Sequence, residues 1–96
     1  MTPATVFIFT GHAVRRMVQR NVTEVAVREV LAANDVIENY PDDTPYPSAL
    51  YVGIVEGHPL HVVAALDAPG ERTIIVTVYE PDPTAWDATF RKRRAE

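Results

Sequence analysis

The chain has 96 residues, 47% of them hydrophobic and 23% charged, which suits one folded domain and leaves no room for two separate cores. It contains no cysteine, so disulfides, thiolate metal sites and thiol nucleophiles are all excluded. The net charge of -4 argues against indiscriminate coating of nucleic acid, but the charges are segregated. Arg15, Arg16, Arg20 and Arg28 precede Glu29, and Arg91, Lys92, Arg93 and Arg94 close the chain. No Lys or Arg lies between Glu29 and Glu71.

Thr5 to Phe9 is a β-branched and aromatic run, expected to form a leading edge strand. Met1 to Phe9 has no basic start and is too short for a secretory leader, and no apolar run approaches the roughly 20 residues of a membrane span. Together with the missing cysteines, this leads to an expectation of a cytoplasmic protein with no membrane partner. Thr10 is placed to cap a helix over Gly11 to Arg20. There Ala13, Val14, Met17 and Val18 share an apolar face and His12, Arg15, Arg16, Gln19 and Arg20 take the rest. Asn21 stops it, and Thr23 caps a second helix running toward Asn34.

Val36 to Tyr40 reads as a short strand, and the three prolines of Pro41 to Ser48 as a stiff loop. Ala49 to Val55 and Leu60 to Leu66 are expected as hairpin strands. Thr73 to Glu80 is the strongest strand candidate, and Asp82 with Pro83 is expected to begin a last short helix carrying Trp86 and Phe90. The fold expected is α+β: two N-terminal helices packed on an antiparallel four-stranded meander sheet, with a short C-terminal helix.

Three groups of residues carry chemistry. His12, Arg16 and Arg20 stand at i, i+4 and i+8, drifting about 40° per step, and so form one ridge. They read either as an acid–base group with arginines that fork onto phosphate, or as an ordinary solvated helix face. His58 and His61 are spaced H-x-x-H across a turn, where their rings should diverge, and lack a third metal ligand. If Asp67 pairs with Arg72, His61 shares a sheet face with Val63, Ala65, Val76 and Val78, taken to be the face beneath the helices. There it is either a satisfied core histidine or part of a rim site. Tyr79, on the other face, is half-buried or open to stack on a base. Arg91 and Arg93 belong to a basic tail that either holds phosphate or complements the end of the last helix. No P-loop, G-x-S-x-G, H-E-x-x-H or G-x-G-x-x-G motif is present, and neither a cofactor nor a metal is expected.

The stretch from Thr10 to Thr23 resembles the "T-x-H-A-x-x-R-M-x-x-R-x-[IV]-[ST]" opening of the bacterial domain-of-unknown-function family 4258. Gly57 to Val63, Ile75 to Pro81 and Trp86 to Arg94 resemble later motifs of the same family, so the likeness runs over nearly the whole chain. His12, Arg16, Arg20 and His61 match its fixed positions. More distantly, the pattern resembles the RelE/ParE toxin superfamily, including BrnT-like toxins, whose members are small ribonucleases or gyrase poisons encoded beside an antitoxin. That resemblance implies a metal-independent endoribonuclease of a toxin–antitoxin pair, with RNA as substrate and an antitoxin as partner. In it His12 and His61 would act as acid and base, Arg16 and Arg20 would hold phosphate, and Tyr79 would stack on a base. The competing expectation is a non-catalytic module that binds protein or nucleic acid, its histidines structural.

Overall fold

The computed structural model describes residues 6–94. The chain runs through strand β1 (Val6–Phe9), helices α1 (Gly11–Arg20) and α2 (Glu24–Ala33), then strands β2 (Val36–Tyr40), β3 (Ser48–Val55), β4 (His58–Asp67) and β5 (Arg72–Tyr79). Each helix is capped as its sequence prescribes. Thr10 and Thr23 accept from the amides of Ala13 and Ala26, satisfying one otherwise orphaned donor in each first turn. Asn21 and Asn34 end the helices in the left-handed region, which asparagine tolerates better than most residues. Neither described helix is long and apolar enough to cross a membrane.

The α+β class is compatible with these elements, but the expected four-stranded antiparallel meander is not the sheet that forms. The sheet has five strands in the order β1-β5-β4-β3-β2 and is mixed, because β1 runs parallel to β5. The α1–α2 hairpin and three further strands separate β1 from β5 in sequence, and such a long connection is what lets two parallel neighbours meet. Thr5, expected to begin this strand, lies outside the described residues.

The expected C-terminal helix is also absent. Asp82 caps a tight turn instead: its Oδ1 accepts from the amide and hydroxyl of Thr84. Asp87 repeats the same device with Thr89. Ala85 and Trp86 both donate to the Asp82 carbonyl, but that single turn goes no further because the Asp87 amide donates to Lys92 instead, and the chain doubles back so that Trp86 bridges Arg93. The segment from Pro81 to Arg94 is therefore a strap of turns.

A β-bulge decides which side chains meet. Asp67 pairs with Arg72 as expected, but the register slips between Val63 and Ala64, so Val63 lies opposite Thr77 and Ala64 opposite Ile75. The extra residue, Val76, puts Tyr79 rather than Val78 opposite His61. Leu60, Val62, Ala64, Ile75 and Val78 join Val27, Val30 and Leu31 in the core under the helices. His61, Leu50 and Val52 point to the other face, and this corrects the expectation that His61 lies beneath the helices. Gly53 sits where α2 comes closest to the sheet, since a Cβ there would lie 2.9 Å from Val30 Cγ2.

α1 lies against β5, whereas α2 covers β3 and β4. Ala13 is fully buried and Met17 half-buried, but Val14 and Val18 remain 47% and 76% exposed. A helix resting on one strand buries only a narrow line of its surface. The four-residue apolar face expected for α1 is therefore half open to solvent.

Candidate functional site: the α1 ridge and its surroundings

Thr10 anchors the start of α1 to β5. Its amide and hydroxyl both donate to the carbonyl of Ile75, at 3.2 and 3.0 Å, just where β1 stops pairing. That anchor carries His12 over the edge of β5, where its Nε2 and Thr77 Oγ1 share a 3.0 Å hydrogen bond. Thr77 reaches this position because it follows the bulged Val76. Sequence reading had no signal for the pairing, since it depends on a bulge that no residue type announces.

His12, Arg15, Arg16 and Gln19 line a shallow groove along the exposed side of α1. Arg20, one turn further on, lines a separate cleft at the far end of the helix. α1 contains no acidic residue. Among the described residues, Arg15, Arg16 and Arg20 have no carboxylate partner, whereas four other arginines do. Arg28 pairs with Glu24, Arg72 with Asp67, Arg91 with Asp35 and Arg93 with Glu38.

His61 has a different setting. It is fully buried, with Nε2 2.7 Å from the carbonyl oxygen of Phe90 and Nδ1 3.2 Å from the hydroxyl of Tyr79. The ring stands edge-on to Trp86, with centroids 4.5 Å apart, and edge-on to Tyr79 at 5.2 Å. Burial holds its pKa below the usual histidine value, outweighing the Phe90 carbonyl and the Glu38 carboxylate, which favour the charged form. The same burial raises the pKa of the Tyr79 hydroxyl.

Arg91 and Arg93 pin the strap. Arg91 meets Asp35 just before β2, and its hydrogen bond holds that carboxyl below the usual aspartate range. Arg93 meets Glu38 on β2 and stacks over Trp86, its guanidinium carbon 4.6 Å from the ring centroid. Glu38 also accepts from the Tyr40 hydroxyl, whose pKa is pushed up to about 12 by burial and by that carboxylate.

Of the residues singled out in the sequence, the fold therefore gathers His12, Arg16 and Arg20 along α1. It places His61, Tyr79, Arg91 and Arg93 around the strap, on the sheet face away from the helices. The two histidines share no hydrogen-bond partner and line no common cavity. His58, 74% exposed at its side chain, turns toward Glu80 and not toward His61. Among the described residues no cluster of three or more His, Asp or Glu could hold a metal.

The profile of the family described as "Domain of unknown function (DUF4258)" matches residues 9–80, well over half of the chain, and the protein belongs to that family. No curated protein and no solved structure matches it.

Proposed function

We propose that this member of a family without an assigned activity is a binding module for single-stranded RNA, and that it grips the phosphate backbone along α1. One observation carries the reading: Arg15, Arg16 and Arg20 stand on one helix without a carboxylate partner, in an acidic protein whose other arginines on helices and strands are paired. An unpaired guanidinium offers its whole planar fork to phosphate oxygens, and it need not break an internal ion pair first. From Arg16 to Arg20 the helix rises about 6 Å, so the ridge can follow a strand past more than one phosphate. The cysteine-free composition suits the reducing cytoplasm, where such RNA is met.

A second reading, a toxin-like endoribonuclease held in check by an antitoxin, draws on the His12–Thr77 hydrogen bond beside the cationic groove. His12 is exposed and could take a proton from a ribose hydroxyl, with Arg16 holding the phosphate. His61 cannot share that task as it stands, because both its nitrogens are occupied inside the protein. Binding and cleavage of labelled single-stranded RNA in the presence of a chelator separate the two readings. Binding without cleavage, weakened in Arg16→Gln, is expected of the module. Cleavage lost in His12→Ala would establish the ribonuclease, and absence of binding at low salt would remove both.

A further inference from the structure

Beyond the helical ridge, Arg20 faces a second feature: a cleft of about 380 Å³ between the end of α1, the start of α2 and the β3–β4 turn. We infer that this cleft receives one unstacked guanine nucleotide of the bound RNA, its phosphate on Arg20 and its base edge on the carboxylates of Glu29 and Glu56. The inference rests on the RNA reading and sharpens it.

The cleft is built on a rigid frame. Glu56 and Gly57 both have positive φ, 51° and 81°, the signature of a two-residue hairpin turn joining the paired residues Val55 and His58. That turn holds the Glu56 backbone on one wall. Thr23 and Asn21 fix the junction of the two helices opposite it through their caps. The volume lies at the small end of ligand pockets, suited to a single nucleotide unit rather than to a larger body.

Its chemistry is divided. Val25, Val55 and Pro59 give it an apolar side on which a base can lie, and Val25 is 64% exposed. Among the described residues that line it, Arg20 is the one permanent cation. Glu80 stands 3.8 Å from His58, Oε1 to Nδ1, while Glu29 and Glu56 are carboxylates without a cationic partner among the described residues. Carboxylates only accept hydrogen bonds. A ligand that engages these side chains presents an anion to Arg20 and hydrogen-bond donors to the carboxylates. Among the RNA bases, guanine alone offers two adjacent N–H donors, N1–H and N2–H, that match the two oxygens of one carboxylate. Uracil offers one donor flanked by two carbonyl oxygens, which a carboxylate repels.

The test compares two nine-nucleotide RNA strands, one all uridine and one with guanosine at its centre, by fluorescence anisotropy. The native protein is expected to bind the guanosine strand about tenfold more tightly. Glu29→Gln with Glu56→Gln is expected to erase that ratio while the all-uridine affinity holds or rises, with an unchanged circular dichroism spectrum. Equal affinity of the native protein for the two strands would overturn the cleft assignment and leave the ridge reading intact. A ratio that survives both substitutions would overturn it too. Failure to bind either strand would overturn both readings together.

Discussion

The Nε2 of His61 lies 2.7 Å from the carbonyl oxygen of Phe90, and this contact fixes the tautomer of the ring. A carbonyl can only accept, so Nε2 carries the hydrogen, and in the neutral ring Nδ1 accepts from the Tyr79 hydroxyl. A buried imidazole with one donor and one acceptor satisfied has nothing to gain from a second proton. Its desolvation penalises the charged form, in agreement with its lowered pKa.

That lowered pKa makes stability depend on pH in a definite direction. The unfolded chain binds a proton at His61 near pH 6.5, whereas the folded chain binds it only at lower pH. Between those two values the unfolded state holds more protons, so stability rises with pH and falls on acidification. The contribution is complete above about pH 6.5 and is lost as pH drops through the folded value. Urea midpoints measured at pH 7.5 and 5.5 should fall on acidification in the native protein and fall less in His61→Gln. The two proteins differ only at residue 61, so the difference between their acid sensitivities reports that ring. Equal acid sensitivity of the two would contradict the buried, neutral ring.

The strap that supplies the Phe90 carbonyl depends on Trp86, which is buried between His61 and Arg93 and is the sole tryptophan of the chain. Truncating a buried aromatic of this size costs about 3–5 kcal/mol, a large share of the ~5–15 kcal/mol that holds a domain folded. Trp86→Ala should therefore lower the urea midpoint steeply. In the folded protein, Trp86 fluorescence should stay level while the urea midpoint begins to fall below about pH 6.5, and change only once the pH reaches the lower value at which the folded ring takes its proton.

Much of α1 and α2 was legible because capping is local. Thr10, Asn21, Thr23 and Asn34 state the boundaries in single side chains, and the structure uses all four. The faces of the sheet were not legible, because one bulged residue, Val76, exchanges every facing pair beyond it and bulges carry no obligatory residue type. The parallel docking of β1 on β5 is a long-range event that four residues cannot specify. The last helix failed for a local reason: Asp82 and Asp87 are as good at capping turns as at capping helices, and here both close turns. At the candidate site, helical spacing revealed the ridge of His12, Arg16 and Arg20. The partners of His61 lie across the sheet and in the strap, beyond the reach of any spacing rule.

Gly53 shows how closely α2 is set on the sheet. A Cβ at that position would stand 2.9 Å from Val30 Cγ2 and 3.5 Å from the Val30 backbone, so the methyl group of alanine forces the helix or the strand to move. Overpacking of this kind costs about 1–3 kcal/mol. Gly53→Ala should lower the urea midpoint accordingly, and Val30→Ala in the same chain should restore part of the loss by removing the opposing methyl groups. Two independent, additive losses would mean that the two side chains do not meet.

Gly70 poses the same question at a charged turn. Asp67 accepts from Nε and Nη2 of Arg72, at 2.9 and 2.7 Å, and from the Gly70 amide at 3.0 Å. These bonds hold its carboxyl below the usual aspartate range, with the Arg72 hydrogen bond the leading cause. A Cβ on residue 70 would fall 2.4 Å from Asp67 Oδ2, so Gly70→Ala must displace the carboxylate from its guanidinium. The sign follows from linkage: a depressed carboxyl pKa adds stability above the unfolded value near 3.9, and that stability is lost as pH falls through the lower folded value. Gly70→Ala should therefore be less stable than the native chain at neutral pH, with the difference narrowing as pH falls below about 3.9. A gap of constant size across that range would mean that the Asp67–Arg72 pair survives the substitution.

The α1 ridge makes a quantitative claim about salt. Each phosphate neutralised on a single strand adds about 0.7 to the negative slope of log affinity against log salt, so three arginines account for a slope of about 2. Arg15→Gln, Arg16→Gln and Arg20→Gln together should flatten the slope by that amount and weaken binding most at low salt. Arg91→Gln, which removes a cation already neutralised by Asp35, should leave the slope almost unchanged. The contrast matters because both sets of substitutions remove arginine from the exposed surface of the same acidic protein. A net-charge effect would make Arg91→Gln flatten the slope about a third as much as the triple variant, since it removes one charge against three, whereas with a phosphate-binding ridge only the triple variant moves it. Flattening in that proportion would shift the binding surface away from α1, and a native slope near zero would mean that phosphate contacts do not hold the RNA.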